Sequence, residues 1–583
     1  MPHKKPVERL SENIINIMSA YPKIMSEFFG KLSVNNTSYY QTPYNIFNQF
    51  WQDIYQNPDM LAERQQEWVN NHNYIIKNVL EKINGSNSNS LYESSNKDNR
   101  FQDPAWKKNA YFNYIKQVYL MTNEWVQKLI ATNDNFDAQT KHKINFFTRQ
   151  ILDALSPSNF IHTNPAVLRE IIDSNADNLL LGLDKLQNDI CNSNTLQITT
   201  VDKTAFKVGE NLATTKGHVI KRSKLSELIV YTPKNNEVYE TPILIIPPFI
   251  NKYYILDLQE KNSFVNWLLE QGHQVCIVSW ANPDSSYADV NFDDYVNEVI
   301  SNIEAVKDIT KQPQISLISY CIGGTLTIST LAYLKQIKDK SIKNACLITT
   351  LVDFSIPGDL GAFIDEEQIQ LMEQKMQAQG YHDSNDMSMT FNLLRANDMI
   401  WSNIVNSYLL GKSPVAFDLL YWNSDSTKIP KKVHSFYLRN MYLNNNLVKA
   451  NVLKINNVPI DISKIDIPIY KLATKEDHIV PWQGAYKIHE YIKNVTFVLA
   501  ESGHVAGVIS PPNRKKYGFY TNETSYSDSE EWLNNSKYIL SSWWENYNKW
   551  QCKFNKQKIK KIDSRTIKKY AIQEAPGTYI YMR

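Results

Sequence analysis

The chain has 583 residues and a mass of 67.7 kDa. At about 150 residues per domain, with α/β enzymes running larger, two or three units are expected. A composition 43% hydrophobic and 21% charged excludes disorder as the whole answer, and a net charge of +2 leaves no bulk positive charge to hold nucleic acid. No run of about 18 apolar residues is present, so no membrane span is expected. The opening MPHKKPVERLSEN lacks the apolar stretch of a signal peptide. The cysteines, Cys191, Cys276, Cys321, Cys346 and Cys552, are scattered and form no CxxC. That argues against a disulfide framework or a zinc ribbon and fits a reduced cytoplasm.

Residues 1 to about 198 read as a mostly helical domain. YNIFNQFWQDIYQ, EWVNNHNYIIKNVLEKI and PAWKKNAYFNYIKQVYLMTNEWVQKLI space their apolar residues as helices do. NGSNSNS, residues 84–90, predicts a loop or linker, and Asn164-Pro165 predicts an N-cap followed by proline in the first helical turn. Residues 199–583 read as an α/β catalytic domain. Strands are predicted at Ile243–Ile246, QVCIVSW, ISLIS, ACLITTL, PIYKLA and VTFVLA, with amphipathic helices between them. Such alternation implies crossover connections and a parallel sheet. It breaks between about 355 and 450, a helical stretch rich in Met, Trp and Tyr that predicts a cap over the carboxyl ends of the strands. The last segment is Trp-rich, SSWWENYNKW, and then basic, KFNKQKIKKIDSRTIKKY, which reads first as a solvated tail and second as a site for an anionic partner.

The sharpest motif is Ser319-Tyr320-Cys321-Ile322-Gly323-Gly324, between a strand and a helix. This is the setting of a nucleophile elbow, usually G-x-S-x-G, whose tight turn needs small neighbours. Gly323 and Gly324 supply them on one side, while Ser319 departs from the usual Gly. The competing reading of Cys321 is a buried structural thiol. Partners are predicted in the order nucleophile, acid, histidine: Asp477 follows the PIYKLA strand, and His504 follows the VTFVLA strand. His504 would be the general base for Cys321, and Asp477 would orient or polarise it. His478, adjacent to Asp477, is read as structural or supporting. An oxyanion hole is expected from the backbone N–H of Ile322 and, because Pro247 and Pro248 cannot donate, from that of Phe249 or Ile250. A thiolate attacking a thioester makes another thioester, so the acyl group stays activated for transfer. The chemistry points to an acyltransferase fed by an acyl-CoA, with a cysteine hydrolase of the same fold as the rival. No phosphate-binding glycine motif is present, so CoA is not placed by a motif, and no resident cofactor or metal is expected.

SYCIGGTL resembles the G-x-C-x-G-G box of the class I polyhydroxyalkanoate synthases. PPFINKYYILDLQ, VSWANPDSSYADVNFDDYV, LRANDMIW, FDLLYWNSDST, KEDHIVPW and SGHVAGVISPP are similar to that family's other blocks, in the same order. RFQDPAWKKNAYFNYIKQVYL, LDALSPSNFIHTNP, KVGENLATTKGHV, SSWWENYNKW and EAPGTY add to the likeness, which runs from about residue 99 to the end. The resemblance implies an α/β-hydrolase core with a cap, preceded by a helical domain. It implies Cys321, Asp477 and His504 as the catalytic residues, and polymerisation of (R)-3-hydroxyacyl-CoA, chiefly 3-hydroxybutyryl-CoA, with release of CoA. It also implies a homodimer on the surface of a cytoplasmic polyester granule. Under this reading Phe391, Trp401, Trp422 and Tyr437 make an aromatic cap that excludes water from the acyl-enzyme. Arg439 reads equally as a partner for a CoA phosphate or as half of a surface salt bridge. Two rivals remain in view: a thioesterase or hydrolase, and a non-catalytic granule-binding protein that keeps the fold. The N-terminal helices are open to granule attachment, dimerisation or a structural role.

Overall fold

The structure, a computed structural model, describes residues 8–20, 41–85, 89–96, 98–191 and 198–583. The extreme N-terminus, read above for the lack of a signal peptide, and residues 86–88 of the expected linker lie outside the described residues. The chain divides into two compact units: residues 1–202 with 390–415, and residues 203–389 with 416–583.

The first unit is helical. The helices Gln41–Tyr55, Pro58–Ile83, Ala110–Ala131, Ala138–Ala154, Pro165–Asp173 and Asp177–Cys191 follow the periodicity of their apolar residues. Their starts are chemically marked. Asn164 accepts from the backbone N–H of Ala166 and Val167 ahead of Pro165, and Asn57 accepts from Met60 ahead of Pro58. Phe50, Ile54, Leu129, Ile130 and Ile144 form one apolar cluster, and Ile75, Val79 and Met121 another. Residues 390–415 fall inside the stretch expected to be cap, yet they cluster with this unit. The reason is local packing: the Asn178 amide donates to the Leu409 carbonyl at 2.7 Å, and Tyr408 donates to Asp189 at 2.7 Å. Gly182 lets the two backbones meet, because a Cβ there would lie 1.8 Å from the Tyr408 carbonyl oxygen. Phe391 and Trp401 therefore belong to this unit, not to the cap of the other.

The second unit is built on an eleven-stranded sheet. In chain order its strands are β1 Gly217–Arg222, β2 Ser226–Tyr231, β3 Ile243–Ile246, β4 Val275–Trp280, β5 Ile315–Tyr320, β6 Ile342–Ile348, β7 Ile469–Thr474, β8 Val495–Ala500, β9 Phe519–Thr521, β10 Lys537–Ile539 and β11 Gln573–Glu574. Across the sheet they run β10-β9-β8-β7-β6-β5-β3-β4-β2-β1-β11. Strands β3 to β8 pair in parallel; β1, β2 and β9 to β11 pair antiparallel at the flanks. The expected α/β-hydrolase architecture is thus present. Residues 243–246, 275–280, 315–320 and 469–474 are buried throughout, which is why these strands read as unbroken apolar runs rather than alternating ones. The chain leaves β3 for β4 on one side and then crosses to β5 on the other. Such a switch of direction opens a crevice at the carboxyl ends of the strands, and the Ser319–Gly324 motif stands there.

The basic C-terminal stretch corrects the reading of a solvated tail. Lys558–Lys560 pairs with Glu237–Tyr239, Ser564–Tyr570 is helical with Ile567 buried, and β11 extends the sheet beside β1. Buried Glu227 on β2 accepts from the backbone N–H groups of Thr578 and Tyr579, at 2.9 and 3.0 Å, and so holds the turn after β11.

Candidate active site

Cys321 is the single residue between the end of β5 and the helix Ile322–Gln336. Its backbone lies at φ 54° and ψ −126°, a conformation that side chains rarely adopt and that costs about 1–3 kcal/mol. The surroundings hold it there. The Cys321 N–H donates to the Ile348 carbonyl at 2.9 Å, and the Gly324 N–H donates to the Cys321 carbonyl at 2.8 Å. A Cβ on Gly323 would meet the carbonyl oxygens of Ile246 and Pro247 at 2.6 Å, and one on Gly324 would meet Thr350 Oγ1 at 1.9 Å. Both glycines are therefore required by contact. Ser319, the departure from the usual motif, is buried and donates to the Cys346 carbonyl at 3.2 Å, so its hydroxyl is absorbed by β6 without disturbing the turn.

Asp477 and His504 reach the elbow from the ends of β7 and β8. Asp477 Oδ2 lies 2.7 Å from His504 Nδ1 and accepts from Thr474 Oγ1 at 3.2 Å, while Oδ1 accepts the N–H groups of Ile479 and Val480 at 2.9 Å. This fixes the carboxylate on three sides. Tyr320 donates to the His504 carbonyl at 3.1 Å, and its ring stacks on the imidazole with centroids 5.5 Å apart. Burial opposes the charged form of His504, but the negative charges of Asp477 and Cys321 and their hydrogen bonds outweigh it, and the imidazolium is favoured up to about pH 10. Cys321 is partly accessible, whereas Cys276 and Cys346 are fully buried and burial alone pushes their thiols up, Cys276 to about 12. His478, in the loop after β7, is half-buried with its carbonyl against Gly358.

The loop after β3 lies against the start of the elbow helix through Pro247. Its carbonyls are occupied: Thr427 donates to Phe249 and Ile250, and the Trp422 indole donates to Lys252 at 2.7 Å. Among the described residues, the N–H groups of Phe249 and Ile322 have no hydrogen-bond partner.

Beside Tyr437 stand two aromatic residues that the sequence did not single out, Phe354 and Tyr442. Tyr437 lies 3.4 Å from Thr325 Oγ1, on the elbow helix, and packs edge-on against Phe354 and Tyr442. Tyr437 is buried and Tyr442 half-buried, and desolvation raises both phenols. Of the four aromatic residues expected over the site, Tyr437 and Trp422 are in this unit. Arg439 is paired with Glu373 at 2.7 Å and Glu366 at 2.9 Å. Among the described residues no cluster of His, Cys, Asp and Glu suits a metal ion, and no helix is long and apolar enough to cross a membrane.

Two family models match the chain: the N-terminus of poly-beta-hydroxybutyrate polymerase over residues 97–268, and the alpha/beta hydrolase fold over residues 241–511. The poly(3-hydroxyalkanoate) polymerase subunit of Rhizobium etli is 42% identical over 490 residues, which is 84% of this chain and 77% of that protein. The poly(3-hydroxyalkanoate) polymerase of Methylorubrum extorquens is 39% identical over 536 residues, 90% of this chain and 87% of the other. The corresponding subunit of Cupriavidus necator is 37% identical, with 83% of each chain covered. With the elbow, its partner strands and the helical region before them all accounted for, the chain belongs to the poly(3-hydroxyalkanoate) polymerases, acyltransferases on the α/β-hydrolase fold.

Proposed function

We propose that this polymerase joins (R)-3-hydroxyacyl groups, chiefly 3-hydroxybutyryl, from their CoA thioesters through a covalent thioester on Cys321. The observation that carries the reading is a partly accessible cysteine in a strained elbow, beside a buried imidazole that Asp477 holds at 2.7 Å. Cys321 gives its proton to His504, whose protonated form the buried Asp477 carboxylate stabilises. The thiolate attacks the thioester carbonyl. The oxyanion is met by the N–H groups of Ile322 and Phe249, and CoA leaves as the thiol with the proton that His504 returns. The 3-hydroxyl of one acyl group then gives its proton to His504 and attacks a second thioester; the C–S bond of that thioester breaks, its sulfur leaves as the thiol with the proton His504 returns, and the ester chain is one unit longer. Asp477 holds His504 in the tautomer this requires. No resident cofactor takes part; CoA is the leaving group. The aromatic residues Phe354 and Tyr437, both buried, and half-buried Tyr442 keep water from the acyl-enzyme. The working form is a class I homodimer on a cytoplasmic polyester granule, a reading carried by the family likeness.

The test is to give the purified protein (R)-3-hydroxybutyryl-CoA and to assay both free CoA thiol and insoluble polyester, with Cys321→Ala as control. Polyester with CoA release, both lost in the control, supports the reading. Release with only soluble 3-hydroxybutyrate replaces it with a thioesterase.

A further inference from the structure

Lys471 stands in the middle of β7, flanked by apolar strands, with none of its surface accessible. A lysine ammonium in such a place needs compensation, because burying an unpaired charge is costly. Among the described residues no carboxylate forms an ion pair with it. Among the described residues its hydrogen-bond partner is the backbone carbonyl of Thr350, just past the end of β6. Thr350 is also fully buried, and its hydroxyl donates to the Cys321 carbonyl and to the Ile348 carbonyl, each at 3.1 Å. Ile348 O in turn accepts the Cys321 N–H at 2.9 Å. Thr350 is also the residue that a Cβ on Gly324 would strike. A continuous chain of contacts therefore runs from Lys471 through Thr350 to both backbone polar groups of the strained nucleophile residue.

We infer that Lys471 is a positioning residue for acyl transfer: its ammonium pins Thr350, and Thr350 pins the backbone of Cys321. The inference rests on Cys321 being the nucleophile. Two physical points support it. An elbow at φ 54° persists only where its surroundings over-determine it, and removing one restraint lets it relax toward an ordinary backbone. In addition, the Asp477 carboxylate in the loop after β7 favours the protonated form of Lys471. Burial drives the ammonium down to about 7 against the pull of Asp477, so the bond to Thr350 is charge-assisted in mild acid and weakens to that of a neutral amine as pH rises through that value.

The test uses the full chain with (R)-3-hydroxybutyryl-CoA and reads the first-turnover release of CoA between about pH 6 and 9. Lys471→Met and Thr350→Val are each expected to slow acylation about tenfold with KM little changed, and the double variant to be no slower than the slower single one. Thr350→Ser, which keeps the hydroxyl, restores most of the rate. The ratio of wild-type to Lys471→Met rates is expected to be largest below about pH 7 and to shrink above it. A Lys471→Met protein with wild-type rate and pH profile overturns the inference, and so do single losses that multiply in the double variant. If Lys471→Met does not fold, Thr350→Val against Thr350→Ser decides: equal rates overturn it. CoA release that survives in Cys321→Ala instead overturns the reading of the nucleophile, and the two failures are separable.

Discussion

At the scale of single residues, His504 concentrates the electrostatics of the site. It is buried and would be neutral on that ground, yet Asp477 and Cys321 hold its proton. Its folded-state value is raised from 6.5 to about 10, so the stability it contributes is fully present below 6.5 and is lost as pH rises through about 10. His504→Gln is therefore expected to destabilise most near pH 6 and progressively less toward pH 10. Denaturant midpoints of the two proteins across that range check it, and a difference independent of pH would contradict it. The sequence exposed this residue, Asp477 and Cys321 because each sits at the end of a strand that reads as an apolar run. It did not expose Thr350 or Lys471. A lysine inside PIYKLA looks like any polar residue in a strand, and only the third dimension shows its ammonium aimed at the back of the elbow.

At the scale of elements, the parallel strands were legible because both their faces are buried. The flanking ones were not. GHVIKR and SELIVY mix charged and apolar residues, and β9, β10 and β11 are three residues or fewer, too short to establish a period. The basic C-terminal run misled for the same reason: its lysines face outward while Ile567 and the turn after β11 are anchored. Glu227 is the anchor, with no accessible side-chain surface and bonds to Arg222, Thr578 and Tyr579. Glu227→Ala leaves those two N–H groups without their acceptor and is expected to cost about 1–3 kcal/mol. Early tryptic cleavage after Arg565 or the neighbouring lysines would accompany that loss, and wild-type resistance in the variant would contradict the anchoring.

At the scale of the whole molecule, the division into units is where pattern reading was weakest. Residues 390–415 carry the aromatic composition of the cap, but Gly182, Asn178 and Asp189 bind them to the N-terminal helices. Close approach at one glycine decides this, and a glycine in a helix gives no sign of what lies against it. Gly182→Ala forces the Tyr408 backbone away and is expected to destabilise the helical unit by about 1–3 kcal/mol. Hydrogen exchange should then rise in residues 177–191 and 400–412 while the β3–β8 core stays protected; unchanged exchange in the helices would contradict the assignment.

The central claim is that Cys321 carries the growing acyl group as a thioester. The most direct measurement is to mix the enzyme with (R)-3-hydroxybutyryl-CoA, quench within the first turnover, and map acylated peptides by mass spectrometry. A 3-hydroxybutyryl group is expected on the peptide bearing Cys321, absent in Cys321→Ala and removed by hydroxylamine at neutral pH. An acyl group found on another residue, or CoA release with Cys321 unmodified in the quenched sample and dispensable in the variant, would contradict it.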